Sequence, residues 1–326
     1  MTAPTLTSLS RWAGVTRLAR LTGLDRCGVE VVGAVRPGGH VLQVSQGKGL
    51  TLEAAQWSAL GEAIELAAAE APDVARLRFG PPPDDALWSH GDEAVAWVDG
   101  TRLSTGEAVS VPAEAVYCPP GGVSWLGPSS GTWRSNGLGA HPTSREKAIE
   151  HAVLELVERD ALARVLPHGW TPGATARLVR CSTRLGAHLA GRGFELFVFD
   201  LTPHREVLPV AGALLFDAED GPVPLTAGYA CRRSLVAAIE AAVLEAAQSR
   251  LTEIHGARED VALGAREAGQ ELREVLRRAP AARVARKSFR GPLSTAMRVP
   301  VAIVTLLESP WVVKAVSDEL LVSELL

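Results

Sequence analysis

One helical sequence pattern occurs three times in this chain, and it limits the possible folds more than any other feature. The three copies are Thr51–Glu65, Ser144–Arg159 and Ser234–Arg250. Each begins with Thr or Ser, which are favourable helix N-caps, and continues with strong helix formers. In each copy a Glu follows a short apolar run, and a second polar residue comes three positions later. The pattern predicts three helices of related design.

Aligning the copies superposes Glu62, Glu155 and Glu245, which lie about 90 residues apart along the chain. That spacing is too long for a solenoid repeat and suits three supersecondary units packed around one centre. Segments rich in β-branched and aromatic residues predict strands at Val29–Val35, Val41–Val44, Phe194–Phe199, Pro209–Phe216, Val301–Leu307 and Trp311–Val316. Strands and helices alternate without a regular βαβ cadence, so the predicted fold class is α+β.

The remaining segments are predicted to be turns, loops and one surface helix. Turns or loops are predicted at Gln46–Gly49, Gly80–Asp85, Pro119–Gly122 and Ser135–Gly137. The first of these is not a Walker phosphate loop, although its backbone N–H groups could approach a ligand. Arg258–Arg278 is predicted to be a charged surface helix.

Two of the repeated helices carry paired carboxylates. Glu62 and Glu65 form one pair and Glu155 and Glu158 the other, and residues three apart share a helix face. The surrounding positions are mostly Ala, Leu, Ile and Val, so the helices are expected to be buried. Buried carboxylates are costly unless they are paired or bind a cation. Two such pairs meeting at one centre could hold Mg²⁺ together with nucleotide phosphates.

The third helix has Gln248 in place of the second carboxylate and adds Arg250, while Arg159 follows the second pair directly. Arginines beside a metal centre can meet phosphate oxygens bidentately. His151 occupies the position that corresponds to Ser58 and is expected near the same site. The alternative remains that the glutamates face water on an unrelated helix-rich structural protein, because Glu pairs at this spacing are common on exposed helix faces.

Charge and cysteine content exclude several classes of protein. The net charge of -4 and the lack of basic patches with interleaved aromatic residues argue against nucleic acid as a partner. The sequence has no long apolar run and no signal-peptide pattern, which predicts a cytoplasmic protein without a membrane partner. Cys27, Cys118, Cys181 and Cys231 lie far apart, which is typical of free thiols rather than of a zinc site.

Several blocks in order resemble the conserved blocks of the YcaO family. The first blocks are Thr22–Asp25, Ala34–Pro37, Ser45–Gly49 and Ser58–Glu65; the later ones are Ser135–Gly137, Glu155–Asp160, Glu245–Arg250 and Gly256–Asp260. The resemblance runs from about residue 20 to 316. It implies one α+β domain of three β/α pseudo-repeats around a central nucleotide site. The expected organisation is an extension at 1–20 and a domain at 21–326, with pseudo-repeats at roughly 21–110, 111–200 and 201–326.

The resemblance also implies a function, with ATP and Mg²⁺ as cofactors. YcaO enzymes activate a peptide-backbone amide by O-phosphorylation, after which a nucleophile adds to the amide carbon and phosphate leaves. Side-chain Cys, Ser or Thr then gives an azoline, an amine gives an amidine, and an external sulfur source gives a thioamide. We expect azoline or amidine formation on a ribosomally made precursor peptide. The alternatives are thioamide formation with a TfuA-type partner and a catalytically idle scaffold subunit.

Site residues follow from the match to the family pattern. Glu62, Glu65, Glu155 and Glu158 would hold magnesium. The residues that would contact the nucleotide are Ser58, Glu62, Glu65, Arg159, Gln248 and Arg250. The expected catalytic residues are Glu155, Glu158 and Arg159.

The chain departs from the family pattern at two points. It has Leu320–Leu326 where many azoline-forming members have a Pro-x-Pro-x-Pro tail, and Lys147 where an acidic residue is common. Because no leader-binding domain is fused to the chain, we expect a separate ThiF-like or TfuA-type partner to deliver the precursor peptide. The sequence leaves open whether the chain forms a homodimer.

Overall fold

The structure, a computed structural model, describes residues 4–87, 95–118, 135–204, 206–219, 221–256, 266–284 and 287–322. The helices within these ranges are α1 Leu6–Trp12, α2 Leu52–Glu70, α3 Arg145–Val165, α4 Pro172–Thr175, α5 Arg184–Ala190, α6 Leu235–His255, α7 Arg266–Arg278 and α8 Leu293–Ala296. The strands are β1 Arg17–Arg20, β2 Glu30–Val35, β3 Val44–Gly49, β4 Leu77–Gly80, β5 Val95–Arg102, β6 Ala108–Pro112, β7 Ser135–His141, β8 Leu178–Arg180, β9 Phe194–Asp200, β10 Val210–Asp217, β11 Leu225–Cys231, β12 Ala282–Arg283, β13 Ala302–Glu308 and β14 Trp311–Ser317. Helices and several sheets in one chain confirm the predicted α+β class.

The three long helices each follow directly after a strand, which gives the chain three β/α units: β3–α2, β7–α3 and β11–α6. The predicted N-caps are confirmed. The side-chain oxygens of Thr51, Ser144 and Ser234 accept hydrogen bonds from backbone N–H groups in the first helical turn. Each cap satisfies a donor that the helix cannot pair itself, and this fixes where the helix begins.

A glycine in each of these strands lets the following helix lie directly on the strand backbone. A Cβ atom on Gly47 would lie 1.9 Å from the backbone nitrogen of Ala59, and one on Gly137 would lie 1.9 Å from the carbonyl oxygen of Ala152. Gly228 in β11 has the same role, because a Cβ atom there would lie 2.2 Å from the backbone nitrogen of Ala246. The three units are therefore built by the same close approach of helix to strand.

Each unit belongs to a different sheet. β3 lies at the edge of the antiparallel sheet β1-β2-β3, and β11 lies at the edge of the sheet β11-β10-β9-β8-β12. β7 ends the sheet β4-β5-β13-β14-β7, in which β6 also pairs with β5. Because the three strands lie at sheet edges, the helices that follow them can contact a strand of a neighbouring unit.

Several local predictions are corrected by the structure. Gln46–Gly49 lies within β3 and Ser135–Gly137 begins β7, so neither is a turn. Their glycines permit close packing of the helix on the strand. In a sequence, a glycine needed for such packing cannot be distinguished from one that signals a turn. The strand predicted at Val41–Val44 begins only at Val44. Of the helix predicted at Arg258–Arg278, the structure gives Arg266–Arg278, and residues 257–265 lie outside the described part, as does Pro119–Gly122.

All four cysteines lie in the described part of the chain and are free thiols, with Cys27 and Cys231 buried, as predicted. None of the described helices combines the length and the apolar character that crossing a bilayer requires.

Candidate functional site

The first glutamate of each repeated helix is held by the strand that precedes it. In every unit a backbone N–H group of the strand donates to that carboxylate: Gln46 to Glu62 at 3.0 Å, Leu138 to Glu155 at 2.6 Å and Tyr229 to Glu245 at 3.2 Å. The number of residues that separates donor from acceptor along the sequence is nearly the same in the three units. This geometry supports the alignment of Glu62, Glu155 and Glu245 that the sequence repeat predicts.

The second polar residue of each helix reaches the strand of the next unit. Glu65 of α2 accepts the N–H group of Ala140 in β7 at 2.7 Å, and Glu158 of α3 accepts that of Cys231 in β11 at 2.8 Å. Gln248 of α6 closes the ring, because its Nε2 donates to the carbonyl oxygen of Gln46 in β3 at 3.4 Å. The three units therefore interlock cyclically, and the helix faces that carry the glutamates point to one centre.

A cavity of about 540 Å³ occupies this centre. The residues that line it are Gln46, Lys48, Trp57, Ser58, Gly61, Glu62, Glu65, Ala140, His151, Glu155, Glu158, Tyr229, Arg232, Glu245, Gln248, Ser249, Thr252 and Glu253. The carboxylates outnumber the cationic side chains Lys48 and Arg232. A cavity with this excess of negative charge favours a cation, and it would repel a nucleotide that carried no metal ion.

Basic side chains contact the carboxylates at the cavity and beside it. Lys48 Nζ lies 2.7 Å from Glu245 Oε2, and Arg159 donates to Glu155 Oε1 at 2.6 Å. Lys314 of β14 lies opposite Leu138 in the sheet, and the charge of Glu155 acts on it. Burial nevertheless lowers the pKa of Lys314, because an ammonium group loses hydration there.

Two of the carboxylates bind protons more tightly than an exposed glutamate does. Burial, with a further contribution from the charge of Glu155, raises the pKa of Glu65 well above its ordinary value. Burial and the charge of Glu245 raise the pKa of Glu158 to about 8. Both shifts have the same physical cause, since several carboxylates share a poorly hydrated space. A divalent cation placed there would reverse the shifts by stabilising the charged forms.

Comparison with known proteins assigns the chain to a family. Residues 73–320 match the family model described as YcaO cyclodehydratase, ATP- and Mg²⁺-binding. The chain belongs to the YcaO family. This membership confirms the resemblance stated from the sequence, and the family description confirms ATP and Mg²⁺ as the predicted cofactors.

The curated proteins similar to this chain are named without an activity. An uncharacterized protein of Methanothermobacter thermautotrophicus is 33% identical over 81% of this chain and 73% of its own length. An uncharacterized protein in the tfuA 3' region of Rhizobium leguminosarum bv. trifolii is 31% identical over 76% of this chain. The chain spans only 64% of the length of that second relative.

Solved structures share the YcaO fold. The structure of YcaO from Methanopyrus kandleri bound with AMPPCP and Mg²⁺ has a TM-score of 0.71 and 26% identity, and covers 94% of this chain and 86% of its own. The E. coli microcin synthetase McbBCD complex with pro-MccB17 bound contains a chain with a TM-score of 0.68 and 15% identity, covering 98% of this chain and 91% of its own. At 15% identity, the similarity to the microcin synthetase chain shows a shared fold only.

Six of the eight site residues predicted for this YcaO chain line the central cavity: Ser58, Glu62, Glu65, Glu155, Glu158 and Gln248. Arg159 is not part of the lining, but it contacts Glu155 and so acts on the cavity through that carboxylate. His151, also expected near the site, lines the cavity with its Nε2 4.0 Å from Glu65 Oε1.

Arg250, a predicted nucleotide contact, does not line the central cavity. Its guanidinium is 1% exposed and donates to Asp25, Asp217 and the carbonyl oxygen of Val223, so its donors are used within the protein. Two residues along a helix turn a side chain by about 200° around the axis. Gln248 faces the cavity, and Arg250 therefore points away from it.

Sequence reasoning missed Glu245, Lys48 and Arg232 as residues of the site. Glu245 could have been found, because the repeat already aligned it with Glu62 and Glu155. Lys48 belongs to the Ser45–Gly49 block, which forms part of β3. In a strand, successive side chains point to opposite faces, so Lys48 points away from the face of its immediate neighbours. Nothing in the sequence marks Arg232, which lies just after β11.

The donor set fits magnesium only together with a nucleotide. Within the described ranges, no three His, Cys, Asp or Glu side chains are grouped tightly enough to hold a metal ion by themselves. Mg²⁺ is ordinarily bound through one or two carboxylates, with phosphates and water completing its coordination. Carboxylates spread around a cavity that also contains cationic side chains meet that requirement.

Proposed function

We propose that this chain is an ATP- and Mg²⁺-dependent enzyme that O-phosphorylates a backbone amide of a ribosomally synthesised precursor peptide. The observation that carries the proposal is the convergence of carboxylates from α2, α3 and α6 on one cavity that also contains Lys48 and Arg232. The volume of about 540 Å³ is typical of a small-molecule site. Family membership and the cyclic hydrogen bonding of the three units support this reading.

Within this proposal each side chain has a role. Glu62, Glu65, Glu155 and Glu158 hold magnesium, and Ser58, Gln248, Lys48 and Arg232 contact the nucleotide. Bound ATP with Mg²⁺ supplies the phosphoryl group that turns the amide oxygen into a leaving group. Glu155 and Glu158 are the catalytic carboxylates, and Arg159 is a positioning residue that fixes Glu155 through its hydrogen bond.

The protein's own contribution is positioning and charge balance. Glu155 is held from two sides, by the N–H group of Leu138 and by Arg159, so its oxygens are oriented before any ligand enters. Glu158 is fixed in the same way by the N–H group of Cys231. Preoriented groups need no rearrangement in the transition state, which is the main source of rate enhancement in phosphoryl transfer.

The nucleophile that completes the reaction defines the product. A Cys, Ser or Thr side chain gives an azoline and an amine gives an amidine, which is the interpretation favoured by the sequence. The relative in the tfuA 3' region favours the second candidate, thioamide formation from an external sulfur source with a TfuA-type partner. A ThiF-like partner that delivers the peptide leader fits the first candidate. The proposed setting is the cytoplasm, where thiols such as those of this chain stay reduced.

Calorimetric titration with AMP-PCP and Mg²⁺ tests the nucleotide site. The wild type is expected to bind the pair, Glu155→Gln to bind it at least about tenfold more weakly, because a charged interaction is lost, and Glu146→Gln to bind like the wild type. Glu146 is an exposed glutamate in the first turn of the same helix. Mg²⁺ without nucleotide is expected not to saturate the site. Equal binding by all three proteins would exclude the carboxylate assignment.

Mass spectrometry of a co-expressed candidate precursor peptide identifies the product. Loss of one water indicates an azoline, or an amidine formed with an amine of the same peptide, and fragmentation tells the two apart by the residues that are joined. Exchange of oxygen for sulfur only in the presence of a TfuA-type partner indicates a thioamide. A wild type that binds Mg²⁺ and nucleotide but modifies no peptide and turns over no ATP with any such partner would instead support the scaffold alternative.

A further inference from the structure

A second cavity, of about 360 Å³, lies directly beside the central one. Its walls include Leu9, Trp57, Gly61, Ile64, Ala140 and Pro310. Three of these, Trp57, Gly61 and Ala140, also line the central cavity. We call this second cavity the side pocket. It extends from the carboxylate site along α2 towards α1 and the end of β7.

Gly61 lies at the junction of the two cavities and has no structural reason to be glycine. A Cβ atom on Gly61 would meet no heavy atom within 4 Å, and the residue has no positive φ angle. Glycine in a helix interior destabilises the helix relative to alanine. The strand glycines Gly47 and Gly137 differ, since they are required by helix packing. Because residue 61 is glycine, no side chain occupies the junction of the two cavities.

The side pocket is chemically unlike the far end of the central cavity. Its polar side chains are Trp57 and His141, and the Nδ1 atom of His141 already accepts the backbone N–H groups of Thr143 and Ser144. The α6 side of the central cavity offers Ser249 and Gln248 instead, and the buried Oε1 atom of Gln248 has no hydrogen-bond partner among the described residues. A nucleobase and ribose need hydrogen-bonding partners, which the α6 side provides. The side pocket suits an apolar group.

We infer that the side pocket receives a large apolar side chain of the substrate peptide, next to the backbone amide that is activated. This inference rests on the proposed function. Ala140, whose N–H group is 2.7 Å from Glu65 Oε1, joins the pocket wall to the carboxylate site, and consecutive residues of a peptide lie about 3.8 Å apart. An apolar cavity of about 150 Å³ holds a benzene ring, so the side pocket has room for Phe or Leu.

Ligand-observed NMR titration with two model amides tests this assignment. The probes are N-acetyl-L-phenylalanine methylamide and N-acetyl-L-serine methylamide, each with and without Mg²⁺ and AMP-PCP. The wild type is expected to bind the phenylalanine amide at least about tenfold more tightly, because only the ring buries apolar area. Leu9→Trp fills the pocket from α1, and is expected to abolish that preference while binding AMP-PCP like the wild type.

Gly61→Leu provides a second blocked pocket, since the new Cβ atom would meet no heavy atom within 4 Å, and melting temperatures establish that both variants are folded. Equal binding of the two amides, or a preference that survives both substitutions, would overturn the inference. So would a loss of AMP-PCP binding in Leu9→Trp with the amide preference intact, because the nucleobase would then occupy the pocket. A wild type that binds the phenylalanine amide but no nucleotide would contradict the proposed function alone.

Discussion

At the scale of single residues, Lys48 connects two of the three units. Its ammonium group reaches from β3 to Glu245 of α6, 197 positions away in the sequence. A cation held over a carboxylate at the edge of the cavity can transfer to a phosphate when a nucleotide enters. Lys48 is therefore the residue that most directly tests whether the α6 side binds the nucleotide.

We expect Lys48→Gln to weaken Mg²⁺–AMP-PCP binding by about tenfold or more, the usual effect of losing a charge-assisted hydrogen bond. Lys147→Gln, an exposed lysine on α3, is the matched control and should leave binding unchanged. Calorimetry measures both. Wild-type affinity in Lys48→Gln would show that the lysine only pairs with Glu245.

Arg250 illustrates the opposite case, a charged residue with a structural function. Burial alone would raise the pKa of Asp25, but the hydrogen bonds and charge of Arg250 lower it. Asp217 also has a lowered pKa, since Arg26 and Arg250 offset the effect of its burial. These carboxylates contribute stability above their unfolded-state pKa, and that stability is lost as the pH falls through the lower folded-state pKa.

Arg250→Met should destabilise the protein by about 3–5 kcal/mol, because it leaves the buried Asp25 carboxylate without its arginine partner and Asp217 with Arg26 alone. Nucleotide affinity, measured by calorimetry at a temperature where the variant is folded, should stay near that of the wild type. Chemical denaturation gives the free energy of unfolding. A variant of normal stability that no longer binds nucleotide would restore the phosphate role predicted from the sequence.

At the scale of secondary-structure elements, the site depends on how closely each long helix lies on its strand. The carboxylates accept N–H groups that point out of sheet edges, and these bonds form only if the helix backbone approaches the strand. Gly137 permits that approach for α3, and Gly47 permits it for α2. Glycines in these strands are therefore required for the hydrogen bonds between the helix carboxylates and the strand N–H groups.

Gly137→Ala is expected to destabilise the protein strongly and to reduce nucleotide binding, because the added methyl group would overlap the carbonyl oxygen of Ala152. The matched control is Gly33→Ala in β2, where the new Cβ atom would lie 3.6 Å from the side chains of Leu21 and Val44, an ordinary contact. Thermal unfolding compares the two. If both variants are equally stable, close helix packing is not what these glycines provide.

At the scale of the whole molecule, three sheets place their edges around one acidic centre. In a region of shared negative charge, metal binding competes with proton binding. Glu158, with a pKa of about 8, binds a proton at neutral pH when no metal is present, and burial shifts the pKa of Glu65 in the same direction.

Binding of Mg²⁺ with AMP-PCP should therefore release protons below pH 8, and the affinity should increase as the pH rises towards 8 and then level off. Calorimetry in buffers of different ionisation enthalpy, on both sides of pH 8, measures the number of protons released. Binding without proton release at neutral pH would mean that Glu158 does not coordinate the metal ion.

Much of the local structure could be predicted from the sequence. Thr51, Ser144 and Ser234 mark the starts of the long helices because capping depends on residues three apart, and the same short range places Glu62 and Glu65 on one face. Runs rich in β-branched and aromatic residues located β9, β10, β13 and β14 to within a residue or two. The family resemblance added ATP, Mg²⁺ and six of the residues that line the cavity.

What the sequence determined by itself are thus the properties that depend on near neighbours: helix starts, helix faces and strand patterns. Only the tertiary structure decided that Glu65 meets Ala140 and Glu158 meets Cys231, and that Lys48 lines the central cavity whereas Arg250 does not. These outcomes depend on which unit follows which around the centre and on the rotation of each helix against its strand. They arise from contacts between residues far apart in the chain, which no local pattern encodes.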